Sequence, residues 1–410
     1  MDTQSALQAG IIAAVRGKKD LFLTIGGYYS AYILLGLTVS AIGPLLPTFV
    51  EKYALPLSAL SIIFPAQWVG NNLASLVVSR AYDRVAGHRV LLAVLVLAGA
   101  LVALIPFAST LGLLMGVFLF LGVALGTIDV GGNTLLMWKL GERARPYMNA
   151  LHFFFGFGSI LGPMLVAWVA SWSGDPTRAC WLIALTALLP ILLVIITQSP
   201  ANPAAQHTSQ TAAPANPGAG GWLTLALAVF FFLHTGAELG FGNYIYSYTQ
   251  SIGLSGGYTA TLLNSAYWAA ITFGRLLAVP VSTRLSTRRI LLFSLIGSVL
   301  SVGVILAASR SAAALWVGTV GLGLFIAALY PGSMSYAGER ITISGRATGY
   351  LVTGSNLGAM AVPWLIGQFF DRSGALSTMT ITAAALLAAL ALFTFIARSA
   401  TLQRKNNPTI

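Results

Sequence analysis

Apolar runs of about 20 residues, long enough for a helix to cross a bilayer core, recur about a dozen times along the 410-residue chain. They fall near residues 21–49, 57–79, 90–108, 111–138, 147–171, 179–198, 222–250, 257–281, 290–308, 312–336, 347–369 and 375–397. A chain built this way satisfies its backbone inside each segment, because hydrocarbon offers no partner for a bare N–H or C=O. Composition agrees: 57% of residues are hydrophobic and 8% charged, against about a quarter charged in soluble domains. The expected class is an all-α membrane protein with the bilayer as its first partner.

The basic residues set its orientation. Of the 22 Lys and Arg, only Lys52, Arg178, Arg310 and Arg372 fall outside the side that holds both termini, the centre of the chain and alternate loops. The positive-inside rule makes that side cytoplasmic and the span count even. The expected location is a cell membrane, in a bacterium the inner one. The +12 net charge then belongs to topology and an anionic leaflet, and calls for no nucleic-acid partner. The first apolar run exceeds signal-peptide length and lacks a cleavage site, so it is read as the first span.

Residues 199–221, SPANPAAQHTSQTAAPANPGAGG, carry no Lys, Arg, Asp or Glu and read as a flexible cytoplasmic linker. It separates an N-terminal six-helix bundle, 1–198, from a C-terminal one, 222–410. The halves are alike at an offset of about 200 residues. AQWVG (66–70) meets AYWAA (266–270), RAYDRVAGHRVLL (80–92) meets PVSTRLSTRRILL (280–292), and Gly158 and Pro163 meet Gly358 and Pro363. GER recurs at 141–143 and 338–340. Two like halves of six spans suggest a transporter with its site near the midplane between them.

A single cysteine, Cys180, excludes an internal disulfide and a thiolate metal site. No P-loop, hydrolytic triad or metal-ligand motif is present, so neither an enzyme nor a resident cofactor is expected. Of the 10 acidic residues, only Asp129 and Glu238 lie within spans. Insertion of such a charge costs about 2.5–3.5 kcal/mol, which makes it a functional candidate facing a cavity or a partner. Asn133 follows Asp129 by four positions, hence on one helical face, and offers two donors and an acceptor to a polyol. Gly131 and Gly132 between them permit close helix approach. His234 precedes Glu238 by four, and the pair reads either as a proton relay or as a static hydrogen bond.

DRVAGHR (83–89) resembles the loop between the second and third helices of the major facilitator superfamily. IDVGGNTLLM (128–137), YMNALHFFFGFGSILGP (147–163) and TGAELGFGNYIYSY (235–248) resemble its sodium-dependent glucose transporter branch, related to the fucose, galactose and glucose proton symporters. The resemblance implies the major facilitator fold, twelve transmembrane helices in two pseudo-symmetric six-helix bundles, and a functional monomer. It implies roles in sugar binding and ion coupling for Asp129 and Asn133, and a place near the site for Glu238. The coupling ion is left open between sodium and a proton. The acid that fucose-permease relatives carry in the first span is absent here.

Sugar sites pair hydrogen-bonding groups with aromatic platforms, so the further substrate-binding candidates are polar and aromatic residues within spans. They are Gln67, Trp68 and Asn71 in the second, Asn149 and His152 in the fifth, and His234, Asn243 and Tyr244 in the seventh. Asn264, Tyr267 and Trp268 in the eighth and Asn356 in the eleventh complete the set. An aromatic in a span has packing against lipid or protein as its other reading. Asp83 with Arg84 and Arg89, Glu142 with Arg143, and Glu339 with Arg340 are candidates for ion pairs that close the cytoplasmic side. Two other classes stay open. GSILGP (158–163) approximates a motif of proton-coupled drug antiporters, and a receptor or scaffold on the same fold would bind without moving its ligand.

Overall fold

The computed structural model describes residues 3–202, 221–253, 257–341 and 345–406, without the side chains of 3–17, 75–77, 79–80, 83, 145, 345 and 400–406. Most of the linker, 203–220, therefore lies outside the described residues. Among the described residues the secondary structure is helical. The first half comprises α1 (Thr3–Tyr53), α2 (Leu57–Leu60), α3 (Ile63–Arg84), α4 (Gly87–Leu104), α5 (Leu111–Leu140), α6 (Ala144–Ser173), α7 (Ala179–Thr186) and α8 (Leu188–Ile196). The second half comprises α9 (Trp222–Ser251), α10 (Gly257–Ser282), α11 (Thr287–Ala307), α12 (Ala312–Ile326), α13 (Leu329–Gly338), α14 (Gly345–Ser373) and α15 (Ser377–Asn406).

Twelve traverses result, because α7 with α8 and α12 with α13 each form one broken span. A proline follows each break. Pro190 has no N–H for the carbonyl of Thr186, the last residue of α7, and Pro331 has none for Ala327, just past the end of α12. Ten of the helices are long and apolar enough to cross a membrane by length and composition. The two traverses that fall short in hydropathy are α3 and α14. They pack against each other between the halves, so their polar residues face protein and cleft instead of lipid. Lipid-facing positions are frankly apolar: on α7 and α8, Leu185, Leu188, Leu189, Leu192, Ile195 and Ile196 are all exposed, which no aqueous surface tolerates as a contiguous stripe.

Local chemistry repeats between the halves. Thr110 caps α5 by accepting from the N–H of Leu113, and Ser311 caps α12 from Ala314. The α6 helix ends at Gly174 with φ +69°, and α14 ends at Gly374 with φ +80°, left-handed positions that glycine occupies without strain. The α1–α6 contact is made by glycine: a Cβ on Gly36 would collide with the carbonyl of Phe155, and one on Gly158 with that of Ile33. The equivalent α9–α14 contact uses Gly358 against the carbonyl of Phe232 in the same way. Small residues let backbones touch where the hydrophobic effect does not drive helices together.

Each half has its own core. One is built on residues such as Tyr28, Leu46, Phe64, Leu121 and Val169, the other on Phe230, Phe241, Leu295, Leu322 and Phe393. Contacts between the halves concentrate at the midplane and on the side opposite the termini. There the backbone N–H of Ser58 donates to Asp371 Oδ2 at 2.7 Å, and Gln368 donates to the Ser58 carbonyl at 2.7 Å and to Ser61 Oγ at 3.2 Å. Phe64 lies against Tyr244, with ring centroids 5.8 Å apart. A cavity of about 340 Å³ lined by Pro44, Pro47, Glu51, Tyr246 and Gln250 remains on this side. The polar contacts described between the halves therefore lie at the midplane and on the side away from the termini.

Candidate functional site

Asp129 sits on α5 with its side chain exposed, and its neighbours place it on the wall of the cleft. The buried Tyr32 hydroxyl of α1 reaches the Asp129 carbonyl at 2.7 Å and Oδ1 at 2.9 Å. Asn133 donates to the Tyr32 oxygen at 2.8 Å and to the Asp129 carbonyl at 2.9 Å. The arrangement depends on the glycines between them: a Cβ on Gly132 would strike the Tyr32 ring, and one on Gly131 the hydroxyl of Tyr82. His152 of α6 stands edge-on to Tyr32 at 5.8 Å, is exposed, and lies within electrostatic reach of Asp129 and, from the other half, Arg275. Asp129 forms no ion pair among the described residues.

Glu238 differs. It is 7% exposed on α9, and its Oε1 lies 3.4 Å from Arg275 Nη2 of α10. Tyr267 donates its hydroxyl proton to the Glu238 carbonyl at 2.8 Å, bracing α9 on α10 at that level. Arg275 stands near the end of an apolar run and is counted above with the basic side; it lies inside α10 instead. The charge asymmetry survives without it. His234 does not engage Glu238 among the described residues. It turns into the second half's core between Phe230 and Phe231, with centroids at 5.2 Å for both, and near Tyr330. Nδ1 lies 3.4 Å from Thr235 Oγ1 and Nε2 has no partner. Shared helical spacing does not oblige two side chains to meet, and the cation from α10 takes the carboxylate.

The remaining candidates divide by depth. Asn149 is exposed on α6 and Trp68 half-buried on α3. Gln67, Asn243, Asn264, Tyr267 and Trp268 are buried. Asn264 donates to the Gly242 carbonyl at 3.3 Å, while its Oδ1 and the Trp268 indole N–H are unpartnered. Tyr244 is fully buried. Asn71 packs within the first half, where a Cβ on Gly126 would lie 3.1 Å from its side chain. The residue that crosses to the second half is its neighbour Asn72, whose Oδ1 accepts from Asn356 at 2.9 Å. Tyr32, Asn72, Arg275 and Tyr330 are the cleft residues that the sequence did not single out.

The expected pairs Glu142 with Arg143 and Glu339 with Arg340 are apart in this structure, and pairs that close the cytoplasmic side break when it opens. Glu142, Arg143, Arg84 and Arg89 are exposed and unpaired by ion pairs among the described residues. Glu339 accepts from Thr287 at 2.5 Å, and Arg340 lies over the Tyr336 ring at 4.9 Å. Sequence neighbours on a helix diverge by about 100°, so i,i+1 charges do not face each other. The Asp83 side chain lies outside the described residues. The ion pair found at this end is Lys139 with Asp20, 2.7 Å apart, joining α5 to α1.

Two pseudo-repeated helical bundles with polar and charged side chains where they face each other define a multi-pass membrane protein of the carrier type. The comparisons specify which. The family model of the Major Facilitator Superfamily matches residues 28–278 and 256–409, and the chain belongs to that superfamily: it is a membrane transporter and not an enzyme. Among curated proteins it is 28% identical over 375 residues to the mouse (Mus musculus) sodium-dependent glucose transporter 1A, covering 83% of this chain and 88% of the relative. Among solved structures it resembles the nucleoside transporter NupG with a TM-score of 0.70 at 14% identity, covering 92% and 98% of the two chains. It also resembles a bacterial homologue of the human lysosomal transporter Spinster, in an inward-facing and occupied conformation, with a TM-score of 0.74 at 12% identity over 93% and 97%. These two likenesses are of fold.

Proposed function

We propose that this transporter is a cation-coupled symporter of a glucose-like monosaccharide. The observation that carries the reading is that Asp129 is exposed on the cleft wall, held by Tyr32 and Asn133, with no ion-pair partner among the described residues. A carboxylate within a span and without a counter-charge favours a bound cation, and the Tyr32 and Asn133 oxygens supply further ligands for sodium or partners for a proton. The half-buried Asn133 and the exposed His152 and Asn149 supply hydrogen bonds to sugar hydroxyls on the same wall. Likeness to a transporter named for sodium-dependent glucose transport supports the substrate class.

Coupling then follows from linkage. If sugar binds the cation-loaded cleft better than the empty one, each raises the affinity of the other by the same factor, and reorientation of the jointly loaded form makes the ion gradient drive sugar. The basic side bearing the termini is cytoplasmic on this reading, so the structure is inward-open, the two bundles rock about the midplane, and the carrier acts as a monomer. The exporter reading has no observation of its own: Gly158 and Gly162 of GSILGP abut the carbonyls of Ile33 and Leu37 on α1, so helix packing accounts for them.

The test is counterflow of radiolabelled D-glucose in proteoliposomes, followed by imposed sodium and pH gradients. Saturable counterflow blocked by particular hexoses, with accumulation under one of the two gradients, is expected. No counterflow with any sugar overturns the reading.

A further inference from the structure

Asp129, Glu238 and Arg275 face one cleft from three helices. Tyr330 of α13 is within electrostatic reach of all of them, and His152 within reach of Asp129 and Arg275. With His152 neutral and the tyrosines un-ionised, two carboxylates oppose one guanidinium. The cleft therefore carries one uncompensated negative charge, and the geometry assigns it to Asp129 because Arg275 is drawn to Glu238.

That pairing is loose. The 3.4 Å separation is longer than the 2.7–2.9 Å of a well-formed charge-assisted bond, and it uses a single N–H where a guanidinium can offer a two-pronged fork. The Arg275 side chain is 30% exposed against 10% for Glu238. Its other N–H groups, of the five a guanidinium presents, have no partner among the described residues. It is a long, flexible cation held at one point, and His152 and Tyr330 each lie within electrostatic reach of both Arg275 and Asp129.

We propose that Arg275 is a tethered counter-cation whose retention by Glu238 makes transport depend on an external ion. While Glu238 holds Arg275, Asp129 is neutralised only by a bound monovalent cation, one per cycle. If Glu238 no longer holds it, Arg275 reaches Asp129 and neutralises the cleft from within, so the carrier reorients without an ion. Glu238 is then a positioning residue for Arg275 and Asp129 the ion site. This inference rests on the reading of the protein as a cation-coupled sugar carrier.

Charge substitution tests it in proteoliposomes with radiolabelled D-glucose, under imposed sodium and proton gradients, each with membrane potential clamped to zero. For the wild type, one cation per neutral sugar limits accumulation to about the size of the imposed ion gradient. Glu238→Gln is expected to exchange glucose without ions and to lose accumulation, its inside-to-outside ratio falling to about one. Glu238→Gln with Arg275→Gln again leaves Asp129 as the one charge in the cleft and is expected to regain ion-driven accumulation. Should the single variant give no exchange at all, ion-driven accumulation by the double variant still sustains the proposal. Continued accumulation by Glu238→Gln overturns the proposal alone, as does a double variant without ion dependence or without transport. A wild type that shows no ion-driven uptake overturns the parent reading and the inference with it.

Discussion

At the scale of single residues, what distinguishes the two acids within spans is company. Glu238 has a guanidinium; Asp129 has a phenol and an amide, which orient a carboxylate without neutralising it. Tyr32→Phe removes the hydroxyl that reaches Asp129 Oδ1 at 2.9 Å and that accepts from Asn133. A hydrogen bond to a charged group contributes about 1.5–3 kcal/mol, so with the hydroxyl lost as a sodium ligand the sodium concentration for half-maximal uptake is expected to rise about 10- to 100-fold, whereas proton-driven uptake is expected to reach half-maximum at a lower proton concentration because the carboxylate loses a donor. A titration of uptake against sodium or pH measures it; an unchanged midpoint removes Tyr32 from the ion site. Asn133→Ala is expected to weaken sugar affinity by about 3- to 10-fold through one lost hydrogen bond of about 1 kcal/mol, read in counterflow competition. The identity of Asp129 and Glu238 as exceptional residues was legible in the sequence, because a charge inside an apolar run has no cheap explanation. Their partners were not. Tyr32 lies 97 positions from Asp129, and nothing local distinguishes it from Tyr28 or Tyr29. Arg275 sits where an apolar run is giving way to a basic loop, and only the path of α10 shows that it is inside.

At the scale of elements, the apolar runs revealed the traverses because length and hydropathy are local properties. The same locality explains what they concealed. Helices α3 and α14 are less apolar and pack against each other, and the breaks at Ala187 and between α12 and α13 are details that a hydropathy average does not register. The charged pairs expected at GER are apart in this structure, and adjacency along the chain is not adjacency on a helix. Contact between α1 and α6 depends on the absence of a Cβ at Gly36 and Gly158. Gly158→Leu is expected to force these helices apart at a cost of about 1–3 kcal/mol or more, lowering the melting temperature of the detergent-solubilised protein. A variant as stable as the wild type would show that the α1–α6 contact is slack.

At the scale of the whole molecule, the seal opposite the termini is made of few polar contacts, as an element that must open requires. The hydrogen bond from the Ser58 N–H to Asp371, at 2.7 Å, is one of them. Asp371→Ala removes a bond to a charged acceptor, about 1.5–3 kcal/mol, and is expected to raise the outward-open population relative to the inward-open one by about 10- to 100-fold. Spin labels in place of Leu113 and Tyr258, both exposed and at the sealed ends of α5 and α10, should show a growing long-distance component by pulsed EPR. An unaltered distance distribution would place the seal elsewhere. The central claim is that Asp129 is the carboxylate through which a cation drives sugar. Its most direct test compares radiolabelled D-glucose accumulation by the wild type and by Asp129→Asn under imposed sodium and pH gradients, with counterflow measured alongside. Ion-driven accumulation by the wild type, and a variant that keeps counterflow but settles at an inside-to-outside ratio of about one, is the expected result. Undiminished ion-driven accumulation by Asp129→Asn would contradict it.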